Sequence, residues 1–156
     1  MNRHPLLALA FALSFAAAPL QAAEPLNVSS AWVREGPPNT AVLAAYMRIE
    51  NPGATDIAIV AASSPQFERV EIHRTEIRDG IARMLQQDRL VVPAGGSVEL
   101  EPGGLHLMLI QAVQPLARGA QVEIDLQLND GGRQQIGAEV RPSTDDGMDH
   151  SHHHHH

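Results

Sequence analysis

The sequence predicts an all-β domain, a Greek-key sandwich or barrel, on three observations. Apolar residues recur with period two through many short runs, and turns rich in Pro, Gly, Asn and Asp separate those runs at roughly 8–12-residue spacing. Nothing reads as a long amphipathic helix. The chain has 156 residues, 44% of them hydrophobic, which suits one domain around one core.

The first segment is not part of that domain. Residues 1–23 read as a secretory signal peptide: Arg3 in a short basic region, an apolar run from Leu6 to Leu20, then "LQAAEP", with cleavage expected after Ala22 or Ala23. The apolar run is too short for the roughly 20 residues of a spanning helix. The mature chain is therefore expected to be exported, with no further segment to hold it in a membrane.

The domain, residues 24–141, opens with "NVSSAWVRE". In "AVLAAYMRIEN" the set Leu43, Ala45, Met47 and Ile49 is more apolar than Val42 and Ala44, which makes Met47 a core residue. "DIAIVAAS" follows, then "FERVEIHRT", where Val70 and Ile72 alternate with His73 and set it opposite the buried residues. In "IRDGIARML" the gap is short enough for a hairpin, placing Met84 near a sheet edge or on a loop. After "RLVVPAG" and "SVELEPG" comes "GGLHLMLIQ", in which Leu105, Leu107 and Leu109 share one face while His106 and Met108 share the other. The leucines are the natural buried set, so a thioether stands beside an imidazole where Thr, Lys or Glu is usual. "QVEIDLQLN" and "RQQIGAEVR" complete the strands, and order is expected to end near Arg141 and Pro142.

Composition removes several functions. With no cysteine the fold rests on its core alone, and blue-copper ligation, Fe–S clusters, thiolate zinc and cysteine nucleophiles are excluded. Formal net charge is −7, becoming −8 once Arg3 leaves with the leader, and all the positive charge is scattered arginine. Nucleic-acid binding, which needs clustered basic residues, is not expected.

Between the leader and the tail the only histidines are His73 and His106, and the methionines are Met47, Met84 and Met108. A lone strand histidine is ordinarily solvated or hydrogen-bonded, and a lone methionine is ordinarily core filler, the reading that fits Met47. His73, Met84, His106 and Met108 gain meaning as a set. Two imidazole nitrogens and two thioether sulfurs are neutral donors suited to a soft, low-charge cation, above all Cu(I). Zinc would favour thiolate, carboxylate or a third histidine. On an exposed strand face or rim such a site would be open to a partner protein and suited to transfer. Catalysis is not expected, because both histidines are committed to the site and Glu71 is assigned to the opposite strand face from His73.

The spacing His73-x10-Met84-x21-His106-x-Met108 resembles the copper-site motif of the periplasmic Cu(I) chaperones called PCuAC proteins. The similarity extends through "AWVREGPPNTAVLAAYMRIEN", "EIH", "VPAGGSVELEPGGLHLML" and "PLARGAQVEIDLQL", about residues 28 to 130. The resemblance implies a cupredoxin-like Greek-key fold that binds Cu(I) through His73, Met84, His106 and Met108. It also implies a metallochaperone of the periplasm; the chain is expected to act as a monomer and not as an enzyme. Such a protein would carry copper to the dinuclear copper site of cytochrome c oxidase subunit II, alongside Sco-type thioredoxin-like proteins. Sequestration for copper tolerance through the same site is the alternative function.

Residues 142–156 form a polar, acidic and then histidine-rich tail. Met148, His150 and His152 to His156 read as a second, flexible site for Cu(II) or Zn(II); a purification tag is the rival reading. Against a tag, the terminal run has five histidines, Met148, Asp149 and His150 precede it, and the leader is still present.

Overall fold

The structure, a computed structural model, describes residues 25–142; the expected leader and the tail beyond Pro142 lie outside the described residues. The described chain consists of strands joined by turns, without a helix: β1 (Asn27–Arg34), β2 (Val42–Glu50), β3 (Ile57–Ser63), β4 (Phe67–Arg78), β5 (Ile81–Gln86), β6 (Leu90–Val92), β7 (Ser97–Leu100), β8 (Leu105–Ala112), β9 (Gln121–Leu128) and β10 (Arg133–Arg141). Hydrogen bonding runs in the order β5-β4-β8-β2-β1-β10-β9-β3-β6. A β3–β4 pairing at Ala62 and Val70 closes the middle of that path into a barrel. β1 and β10 pair in parallel, whereas β4, β8 and β2 pair antiparallel with one another. The all-β expectation holds.

The barrel interior follows from the period-two pattern. Ala45, Met47 and Ile49 of β2, Val70 and Ile72 of β4, and Leu107 and Leu109 of β8 point inward and are buried. Val122, Ile124 and Leu126 of β9 and Ala138 and Val140 of β10 meet them in the same core. Each fully buried Leu, Ile or Val contributes about 1.5–3 kcal/mol over its exposed state. Met47 is a core residue, 2% exposed, as its apolar companions predict.

Two local features place the outer face. The β1–β2 register shifts between Ser29 and Trp32, with Ser30 in the left-handed region at φ 54°, and this bulge sets Trp32 opposite Tyr46. β2 is shared lengthwise, Val42 to Ala45 pairing with β8 and Met47 to Glu50 with β7. Tyr46 therefore stands at the point where β8 leaves β2.

Of the two positions open to Met84, the structure selects the sheet edge. β4 and β5 form a hairpin in register from Arg78 opposite Ile81 to His73 opposite Gln86. Asp79 (φ 53°) and Gly80 (φ 75°) make the turn, the Asp-Gly chemistry of a type I′ connection that matches strand twist. All the residues of β5 are exposed, so the strand contributes nothing to the core and leaves no period-two signal of its own.

Candidate metal centre

The candidate site lies on the outer face of β4 and β8. In their antiparallel register His73 lies directly opposite His106, and the ring centroids are 5.9 Å apart. The row continues across the sheet: Tyr46 is 6.4 Å from His106, and Trp32 is 4.9 Å from Tyr46. Four rings thus lie side by side across four neighbouring strands, β4, β8, β2 and β1.

That row corrects one expectation. The face opposite the leucines was expected to be open, yet His73 is 8% and His106 4% exposed. The reason is lateral: Tyr46, itself buried, abuts His106 on one side and His73 abuts it on the other. Alternation along one strand identifies the side of the sheet but carries nothing about which rings stand next to one another across strands.

The thioethers flank the pair from opposite ends. Met108 follows His106 by two residues on the same face, is half-buried, and pairs with Glu71 and Ala44. Met84 pairs with Thr75, which is two residues beyond His73 on β4. Antiparallel register puts Met84, Thr75 and His73 on one face, with the Met84 backbone about 8 Å from that of His73 by strand geometry. The structure brings the two histidines together with Met108 beside them. Met84 stands on the exposed hairpin arm, 59% accessible.

Glu71 is a second correction. It was assigned to the opposite strand face, but positions i and i+2 share a face, and Glu71 meets the His73 ring, Oε2 to Nε2, at 2.9 Å. Its other oxygen, Oε1, accepts from Arg69 Nε at 2.7 Å. The hydrogen bond from His73 is the main cause that holds the Glu71 carboxyl below its ordinary range, with Arg69 adding to it. The i, i+2 spacing was the signal in the sequence that reveals this contact.

The hydrogen bonds decide which nitrogens are free. An ionised Glu71 can only accept, so His73 donates from Nε2, and in a neutral ring the lone pair falls on Nδ1. That atom is buried and has no partner among the described residues. His106 is the mirror case: Nδ1 lies 3.2 Å from the carbonyl oxygen of Gly104 and donates to it, which leaves the lone pair on Nε2. The Gly104 carbonyl is fixed by the turn between β7 and β8. The Gly104 amide donates to Glu101, Gly103 turns at φ 81°, and the carbonyl also accepts from the Thr75 amide at 3.0 Å. Burial, chiefly, pushes the pKa of His106 below its ordinary value and so disfavours the charged ring.

An orphaned, buried imidazole lone pair costs free energy unless something occupies it. A soft cation fits: the His106 ring lies next to that of His73, Met108 follows on the same face of β8, and Met84 is on the adjoining strand. Among the described residues no three His, Cys, Asp or Glu side chains group to hold a metal, so a hard-donor cage of the zinc type is not assembled.

The family described as "Putative lipoprotein LpqE-like" matches residues 26–140 of this chain. A curated relative, "Putative lipoprotein Lxx21020" of Leifsonia xyli subsp. xyli (strain CTCB07), is 28% identical over 124 residues, 79% of this chain and 74% of that protein. Among solved structures, the solution structure of CuI-DR1885 from Deinococcus radiodurans is 33% identical, with a TM-score of 0.63 over 76% of this chain and 80% of its own. The copper-bound PCuAC domain from PmoF2 superposes with a TM-score of 0.65 over 78% of this chain and 97% of its own. At 20% identity that second likeness speaks for the fold alone, and the fold is the expected cupredoxin-like one.

Proposed function

Because the chain belongs to the LpqE-like family, we propose that it is a copper-binding chaperone that takes Cu(I) through His73, Met84, His106 and Met108. The observation that carries the reading is the buried, unpartnered Nδ1 of His73 next to the neutral ring of His106. The Cu(I)-bound form of the 33% identical DR1885 supports copper as the cargo. The four donors carry no charge of their own, which favours Cu(I) over divalent ions and leaves no thiolate bond to break on release. The finer reading is delivery: export to the periplasm and transfer, as a monomer, toward the copper site of cytochrome c oxidase subunit II with Sco-type proteins. That step rests on the resemblance to PCuAC proteins, and sequestration for tolerance uses the same site. In the tail, Met148, His150 and His152 to His156 would take Cu(II) separately.

The test is Cu(I) titration of the full chain and of a variant ending at Pro142, with X-ray absorption counting sulfur and nitrogen neighbours. One Cu(I) per chain with mixed sulfur and nitrogen neighbours in both proteins supports the site. Binding that vanishes with the tail removes it. Transfer of the bound Cu(I) to an isolated oxidase copper domain then separates delivery from tolerance.

A further inference from the structure

We infer that Glu71, anchored by Arg69, is a positioning residue that fixes the ring of His73, so that the two histidines offer copper different atoms, Nδ1 from His73 and Nε2 from His106. The inference rests on the copper reading above and adds residues to it that are not ligands.

Three observations carry it. First, Glu71 bridges two groups with separate oxygens, Arg69 at 2.7 Å and His73 at 2.9 Å, so the carboxylate is held from one side while it grips the ring from the other. Second, the gripped atom is Nε2, the far nitrogen of the ring, and the near nitrogen Nδ1 is left buried and without a hydrogen-bond partner among the described residues. Third, His106 is gripped by its near nitrogen through a backbone carbonyl, with the opposite outcome. A strand histidine free to rotate would exchange tautomers and flip about its ring axis. Either change would replace the buried Nδ1 lone pair with an N–H or a carbon. Groups that hold a ligating histidine by its second nitrogen orient the ring and raise its basicity, and losing one costs 10–100-fold in metal affinity.

The charge of Glu71 has a second effect. Glu71 pairs with Met108 in the β4–β8 register, so the carboxylate stands beside the site and supplies one negative charge there. Arg69 offsets part of that charge at the outer end, being itself 64% exposed. Glu71→Gln keeps an oxygen that can accept from the ring and removes the charge; Glu71→Ala removes both. The pair therefore separates orientation from electrostatics.

The experiment reads the imidazole nitrogens of the copper-free full chain by long-range 15N–1H correlation near neutral pH, with the spectrum of His73→Gln used to identify the His73 signals. The expected result is an Nε2–H tautomer for His73 and an Nδ1–H tautomer for His106 in the wild type. Glu71→Gln should retain the His73 tautomer, and Glu71→Ala should mix it. Cu(I) affinity, measured against a chromophoric Cu(I) chelator, should fall 10–100-fold in Glu71→Ala and less in Glu71→Gln. An Nδ1–H tautomer for His73 in the wild type overturns the inference, as does a Glu71→Ala protein with unchanged tautomer and affinity. If Glu71→Ala does not fold, the wild-type and Glu71→Gln spectra decide. Failure of the wild type to bind Cu(I) would sink the copper reading while the tautomer result still stood by itself.

Discussion

β8 and β5 each carry one of the two thioethers, and the strands could hardly differ more. Met108 sits on a strand paired on both sides, with β4 and β2, whose alternate residues Leu105, Leu107 and Leu109 are buried. Met84 sits on a strand that, among the described residues, pairs only with β4 and has every residue exposed. His73 and His106 share the fixed side of this division. The proposed site thus joins a preformed half, two hydrogen-bonded imidazoles and a half-buried methionine, to an arm whose methionine is exposed. Preformed donors would keep the ordering cost of binding low, and an accessible one would leave a bound ion within reach from solvent.

Breaking the fixed half should have the largest effect. His106→Ala is expected to lower Cu(I) affinity by more than about 100-fold, beyond the range of outer-shell losses, with competition against a Cu(I) chelator as the measure. Next come the two thioethers, whose comparison sharpens the contrast. Met108→Leu conserves volume and should change stability by less than about 1.5 kcal/mol, whereas Met84→Leu on the exposed arm should stay within about 0.5 kcal/mol. Both should weaken Cu(I) binding, so denaturant unfolding and copper titration together separate ligation from packing.

Without any substitution, amide hydrogen exchange should show β5 opening well before β8, because the arm buries nothing. Equal protection of the two strands would erase the distinction drawn between them. The smallest effect is on acid stability. The pKa of His106 is depressed from 6.5, so the unfolded chain takes up a proton there before the folded one does. Stability is full above about 6.5 and declines as pH falls below it; the depressed Glu71 adds a further loss beginning near its ordinary 4.5. Urea midpoints of the copper-free protein between pH 7 and pH 4 test this, and His106→Gln should remove the upper portion of the decline.

Much of this was legible in the chain. The leucines of "LHLML", the apolar set of β2 and the runs of β9 and β10 each bury one face, and burial of one face is what period two records. His73, His106 and Met108 fall together for the same reason. β5 was harder, because a strand that buries nothing has no reason to alternate, and only Asp79-Gly80 marks it. The burial of the histidines was not legible, since Trp32, Tyr46, His106 and His73 meet through pairings between residues far apart in sequence. Glu71 is a different case: its two-residue offset from His73 placed it on the histidine face, and the sequence already contained the contact that the structure displays.

Trp32 is the only tryptophan in the chain, and it stands two rings from His106, in contact with Tyr46. Its emission therefore comes from one place, at the end of a row whose other end is the candidate site. An ion held by His106 would alter the ring that lies against Tyr46, whose own ring lies against the indole. Emission of the indole during Cu(I) titration of unlabelled protein is therefore expected to change as the candidate site fills, and an unchanged spectrum would show that the row of rings does not report on it.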